Sequence, residues 1–206
     1  MNGLLNVAAQ NTVLKVKLPT GVSIVKAYSL KYNTNGNELQ FSFRDLFSME
    51  NKGVLLYCRL DNNVSGDLKF ISTLSFDNTA DKQHKEITND NILKPMPSMN
   101  VYVRHFNEKV LQQAVLSQAN ENMELAMAET DKGNFEQARS LNTANASFIK
   151  SNGKLVAASP ELQRMDSVNS KYTLQLMDAE KMDDVNRKRM QKASKESNYK
   201  IRLKKQ

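Results

Sequence analysis

Few residues in this 206-residue chain could make or break bonds. His84 and His105 are the only histidines, and neither has a cysteine or a second histidine at ligand spacing, so no zinc centre is predicted. Cys58 stands alone in the apolar run GVLLYCRL. That setting suits a small core residue better than a nucleophile, which needs a basic partner to hold its thiolate. A single cysteine also excludes an internal disulfide. Asp131 and Gly133 hint at a calcium loop, but the further acids miss the twelve-residue spacing. No GxxxxGK[ST] or GxGxxG segment is present to cradle a phosphate. The acids Asp178, Glu180, Asp183 and Asp184 around Lys181 read as a solvated helix face. The expectation is a chain with no catalytic centre, no metal and no cofactor.

Charge is the stronger chemical signal. Formal net charge is +7, yet residues 187–206 hold nine Lys or Arg and one acid, Glu196, so the rest of the chain is close to neutral. Arg187, Lys188, Arg189, Lys192, Lys200, Arg202, Lys204 and Lys205 are the candidate anion-binding residues, with Lys195 among them in sequence. Nucleic acid or an anionic membrane surface could attract such a segment. A solvated helix end is the competing reading, because no basic face is sustained elsewhere. The chain has no tryptophan and no aromatic cluster among its cations, which weakens a single-stranded nucleic-acid reading. There is no apolar run near eighteen residues, and the N-terminus MNGLLNVAAQ does not read as a signal peptide.

The elements that must hold these groups change character near residue 106. Before it, apolar residues alternate in twos; after it, they recur in threes and fours. TVLKVKL places Leu14, Val16 and Leu18 on one face, and Pro19 with Thr20-Gly21 ends the strand. VSIVKAYSL and ELQFSF are predicted to pair around Asn35-Gly36, two residues that tolerate positive φ. GVLLYCRL, apolar on both faces, is predicted as an inner strand. DLKFISTLSF alternates through Leu68, Phe70, Leu74 and Phe76. DKQHKEIT reads as a polar edge strand, NILKPMPS as irregular or extended, and MNVYVRHF as a last strand. Some seven short strands separated by turns predict an antiparallel β-sandwich over 1–106, with a barrel as the alternative.

From about Asn107 a helical domain is predicted through residue 197. Its first stripe runs from Val110 and Leu111 through Ala119 and Met123 to Met127. Gly133 is expected to close that helix and Asn134 to cap the next. Ser159-Pro160-Glu161 should open a third helix lined by Leu162, Met165, Val168, Tyr172 and Leu176. A more polar fourth follows from about Asp178. Residues 198–206, NYKIRLKKQ, are expected to be an extended or frayed basic tail. The fold class is therefore α+β: a sandwich, then a hairpin extended to a three-to-four-helix bundle.

Gly133, Phe135 and Ala138 carry a first resemblance. LAMAETDKGNFEQARSLN is similar to the inner turn of a tetratricopeptide hairpin, where small residues permit close packing and the aromatic wedges between helices. Only one such unit is present, fewer than a solenoid needs. A buried Phe135 would lose on the order of 3–5 kcal/mol on truncation to alanine.

A broader resemblance joins FRDLFSMENKGVLLYCRL, ENMELAMAETDKGNFEQARSLN and NYKIRLKKQ. In that order they resemble the region following the von Willebrand factor type A domain in bacterial proteins loosely labelled homologues of calcium-activated chloride channels. That family's adhesion-site motif, Asp-x-Ser-x-Ser, lies in the type A domain and does not occur in this chain. DNNVSGD does not fit it. The resemblance thus implies a non-catalytic scaffold and protein-interaction region. Its partner would be another protein, or an upstream type A domain of the same polypeptide. The sandwich could be completed by strands preceding that domain, or, with an edge left open, could form a homodimer.

Overall fold

The computed structural model describes residues 6–28, 30–50, 52–96 and 98–202. The chain divides into two compact units, 1–104 and 105–206, and has the α+β composition that the two periodicities predict.

Strand β1 (Val7–Lys17) is central to the first unit. It pairs antiparallel with β4 (Glu38–Ser42), β5 (Leu46–Phe47) and β7 (Leu68–Asn78). The short β3 (Asn33–Asn35) flanks β4, and β8 (His84–Leu93) flanks β7, giving the order β3-β4-β1-β7-β8. A second sheet holds only β2 (Val22–Tyr28) and β6 (Leu55–Leu60). Ile24, Ala27, Leu56 and Cys58 of this pair pack on Val16, Leu18, Leu39 and Phe41 of the larger sheet. Alternation explains why: Val16 pairs with Leu39 and Leu14 with Phe41, so one face of β1 and β4 is a continuous apolar surface.

Three strand expectations need correction. VSIVKAY does not pair with ELQFS; it pairs with LLYCRL in the other sheet. The hairpin at Gly36 (φ +60°) is real but joins ELQFS to three residues, Asn33–Asn35. Alternation fixes which face is buried and leaves the neighbouring strand open. GVLLYCRL is not an inner strand, since among the described strands β6 pairs with β2 alone, and Tyr57 and Leu60 are exposed. MNVYVRHF is not a strand at all but helix α1 (Met99–His105). The Ser98 hydroxyl accepts from the Val101 N–H at 3.4 Å and the Ser98 carbonyl from Tyr102 at 3.0 Å, which starts a helical turn. NILKPMPS, expected to be irregular or extended, is extended at its start, where β8 continues as far as Leu93.

The second unit is a bundle of α2 (Glu108–Asp131), α3 (Phe135–Ser151), the short α4 (Gly153–Ala157), α5 (Pro160–Asp178) and α6 (Asp184–Arg202). Asn107 caps α2 through the Val110 N–H, and Ser159 caps α5 through the Leu162 N–H with Pro160 at the first turn. The core is Val115, Ala119, Met123, Met127, Ala138, Ile149, Leu162, Met165, Tyr172, Leu176, Met190 and Ile201. Gly133 (φ +82°) ends α2: its N–H donates to the Thr130 carbonyl, and the Asn134 N–H donates to Glu129 at 2.9 Å. Asn134 makes no side-chain cap; its amide turns back to Glu129 Oε2 at 2.7 Å. Of residues 198–206, expected to be an extended or frayed tail, 198–202 continue α6, and 203–206 lie outside the described residues. Asn198 and Ile201 belong to its buried stripe with Met190, Gln191 and Ser194.

Candidate functional site: a groove between two helices

A concavity of about 530 Å³ lies along α2 and α6. Met127 and Asn198, each 2% exposed, form its floor. Glu124, Ala128 and Asp131 rise on the α2 side, and Lys195, Glu196 and Tyr199 on the α6 side. Spacing produces this arrangement. Residues 124, 128 and 131 share one helical stripe, as do 195, 196 and 199, while 127 and 198 belong to the neighbouring buried stripes. Lys195 forms an ion pair with Asp131 across the groove.

Amides beneath the floor lock the two helices together. Asn120 Nδ2 donates to Asn198 Oδ1 at 3.0 Å, and Asn198 Nδ2 donates back to Asn120 Oδ1 at 3.3 Å. Gln191 Nε2 donates to the Met127 carbonyl at 3.1 Å. Tyr172 Oη lies 2.8 Å from Thr130 Oγ1 and donates to Gln191 Oε1 at 3.1 Å. Burial pushes the Tyr172 phenol above its ordinary range, with those two hydrogen bonds pulling the other way. A second ladder crosses α2, α3 and α5. Asn122 Nδ2 donates to Asn145 Oδ1 at 3.2 Å, and Asn145 Nδ2 donates to Asn169 Oδ1 at 2.9 Å. Asn142 Nδ2 reaches Thr173 Oγ1 at 2.7 Å. Sequence reading missed all of these amides. Asn142, Asn145 and Asn169 do fall on the apolar stripes beside Ala138, Ile149 and Met165, and a polar residue on such a stripe was the available signal.

The predicted hairpin residues are together but differ in role. Ala138 is fully buried. Phe135 is half-buried, packs on the core and lies beneath the Arg187 guanidinium at 5.6 Å. Close packing is not what requires Gly133, since a Cβ there would meet open space; the left-handed backbone is what requires it.

The predicted anion-binding residues do not form one exposed patch. Arg187 is half-buried and paired with Asp184. Lys200 pairs with Glu196 at 2.7 Å. Lys188, Arg189 and Lys192 are exposed on consecutive turns of α6, and among the described residues no ion pair involves them. Arg202 is the last described position of α6, and Lys204 and Lys205 lie outside the described residues.

The other chemistry-bearing residues lie elsewhere. Cys58 is half-buried beside the sandwich core, and burial pushes its thiol up, away from the thiolate. His84 Nδ1 lies 2.7 Å from Asp77 Oδ1 at the exposed end of β8. Hydrogen bonds from Asn11 first, and then His84, hold the Asp77 carboxyl below its ordinary range. Among the described residues no group of three His, Cys, Asp or Glu is placed to hold a metal. No described helix is long and apolar enough to cross a membrane.

No protein-family profile matches the chain, and no curated protein matches it in sequence. Among solved structures, the chain is similar to the ArnB paralog VWA2 from Sulfolobus acidocaldarius, a von Willebrand type A protein, at 14% identity and a TM-score of 0.44. The similarity covers 82% of this chain and 42% of that one, so this chain spans less than half the length of its structural neighbour.

Proposed function

We propose that the helical unit is a non-catalytic docking module that receives an apolar side chain, or a short helix, in the α2–α6 groove. The observation that carries this reading is the groove itself. It is a 530 Å³ concavity whose floor is set by Met127 and whose walls are tied together by the Asn120–Asn198 bridge. A preformed site spares the ordering cost of binding, and an amphipathic helix presents anchors at the spacing such a groove accepts. The tetratricopeptide-like turn at Gly133, Phe135 and Ala138 supports the same reading by fixing the hairpin from which α2 projects. The sequence resemblance extends it: the chain would serve as the supporting region of a bacterial type A domain protein.

Peptide selection against the full chain tests the groove. Selected sequences should show apolar residues at helical spacing. Their binding should shift amide resonances of Ala128, Lys195 and Tyr199, and Ala128→Arg, a change at an exposed wall position, should remove it. Peptides that bind this variant unchanged would overturn the reading. The family extension is tested separately by the genomic reading frame, which should encode Asp-x-Ser-x-Ser upstream.

A second reading rests on Lys188, Arg189 and Lys192. These three exposed cations would favour an anionic surface. Affinity for acidic vesicles or nucleic acid should then fall steeply with salt and disappear in the triple glutamine variant. Binding that is unchanged in that variant would exclude it.

A further inference from the structure

We infer that β8 is a dimerisation edge at which a second copy of this chain adds its own β8, antiparallel, about a two-fold axis through Ile87. The inference is independent of the α2–α6 groove.

Strand β8 is the longest open edge among the described strands. It pairs with β7 over ten consecutive positions without a register shift, from Leu68↔Leu93 to Asp77↔His84. The opposite edge of the sheet is β3, three residues long. Proteins usually guard such an edge with bulges, prolines or free charges. Strand β8 has no bulge and no proline, and two of its charges are already neutralised within the chain: Lys85 by Asp81, and Asp90 by Lys69 at 2.6 Å. Ile87, Ile92 and Leu93 are 56–57% exposed.

The backbone directions decide which groups are free. The Asn78 N–H donates to the Gln83 carbonyl at 2.9 Å, in step with the β7–β8 ladder. Alternate residues from Gln83 onward, Ile87 included, therefore turn their backbone groups toward β7. His84, Glu86, Thr88, Asp90 and Ile92 turn theirs outward.

Among the registers centred on Glu86, Ile87 and Thr88, the side chains favour one, and they name the occupant. A two-fold axis through Ile87 sets Glu86 opposite Thr88, Lys85 opposite Asn89 and His84 opposite Asp90, with no like charges facing. It also makes Ile87–Ile87 a non-hydrogen-bonded pair, the kind in which opposing side chains come closest. An axis through Thr88 would set Glu86 against Asp90, and one through Glu86 would set that residue against itself. The strand is complementary to its own copy in charge, apolar contact and hydrogen bonding. With β3 so short, the assembly closes as a dimer rather than growing into a fibre.

Sedimentation of the full chain should show a concentration-dependent dimer and no larger species. Thr88→Pro removes an outward N–H and leaves the β7 ladder intact, and it should yield a monomer with an unchanged circular dichroism spectrum. Ile87→Lys, at an exposed position, should do the same by placing two ammonium groups across the axis. In a Cys58→Ser background, Ile87→Cys should cross-link the dimer on mild oxidation, because Cα atoms roughly 4.5 Å apart at such a pair lie within disulfide reach. Asn89→Cys should not cross-link. A wild-type monomer at high micromolar concentration, a dimer that survives both edge variants, or cross-linking at Asn89 equal to that at Ile87 would each overturn the inference.

Discussion

Asn120 of α2 and Asn198 of α6 exchange side-chain amides in the buried heart of the helical unit, and each also reaches the other's backbone carbonyl. The two residues are 78 positions apart in sequence. Removing either partner leaves a buried amide without its mate. Asn198→Ala or Asn120→Ala should each cost about 1–3 kcal/mol in urea denaturation. The double change to alanine should cost less than the sum of the two single changes, because neither amide is then left facing a missing mate. Additive losses would show that the bridge contributes nothing beyond two separate residues.

Tyr172 makes stability respond to alkali. Its phenol ionises less readily in the folded protein than in the unfolded chain, because burial disfavours the charged form. That stabilisation is complete below the unfolded value of about 10 and is lost as pH rises through the higher folded value. Melting temperatures of the wild type should therefore fall more steeply above pH about 10 than those of Tyr172→Phe. At neutral pH the same variant should lose about 1–2 kcal/mol, since Gln191 Oε1 forfeits its donor.

Phe135→Ala should cost about 2 kcal/mol, below the loss expected for a fully buried phenylalanine. The side chain is only partly buried, with Arg187 over its ring, so less apolar surface returns to water on truncation. A loss as large as that of Leu162→Ala, a fully buried site, would contradict this placement in chemical denaturation.

Two glycines with nearly equal φ should behave differently on change to alanine. At Gly133 only left-handed strain is added, about 1–2 kcal/mol. At Gly21 the new Cβ would also stand 2.4 Å from Val64 Cγ2, a stiff β-branched side chain that cannot swing away. Gly21→Ala should be the more damaging in thermal melts; equal losses would mean that the loop carrying Val64 yields.

Much of the architecture was legible because local signals agreed with one another. Leu162, Met165, Tyr172 and Leu176 are buried where helical spacing put them, and Ser159 and Pro160 begin α5 as their types require. The alternation of Leu14 and Val16, continued by Leu18 just past the strand, likewise marks the inner face of β1. What escaped was non-local or masked by composition. Nothing in VSIVKAY states that its partner is LLYCRL rather than ELQFS. MNVYVRHF offers β-branched alternation, but Ser98 starts a helix that the alternation hides. NYKIRLKKQ looks like a solvated tail because its cations outnumber Asn198 and Ile201, the two residues that dock its described part, 198–202. The groove was invisible for the same reason: its supports are asparagines, a residue type that reading by hydropathy places outside.

The amide-rich centre of the bundle has a thermal consequence. Unfolding exposes apolar groups, which raise the heat capacity, and polar groups, which lower it. With Asn120, Asn142, Asn145, Asn169, Gln191 and Asn198 among its buried residues, this unit replaces part of the usual hydrocarbon interior with groups of the second kind. Its calorimetric increment per residue should be small for its length, and its stability should change little between cold and warm conditions, giving a broad, shallow optimum.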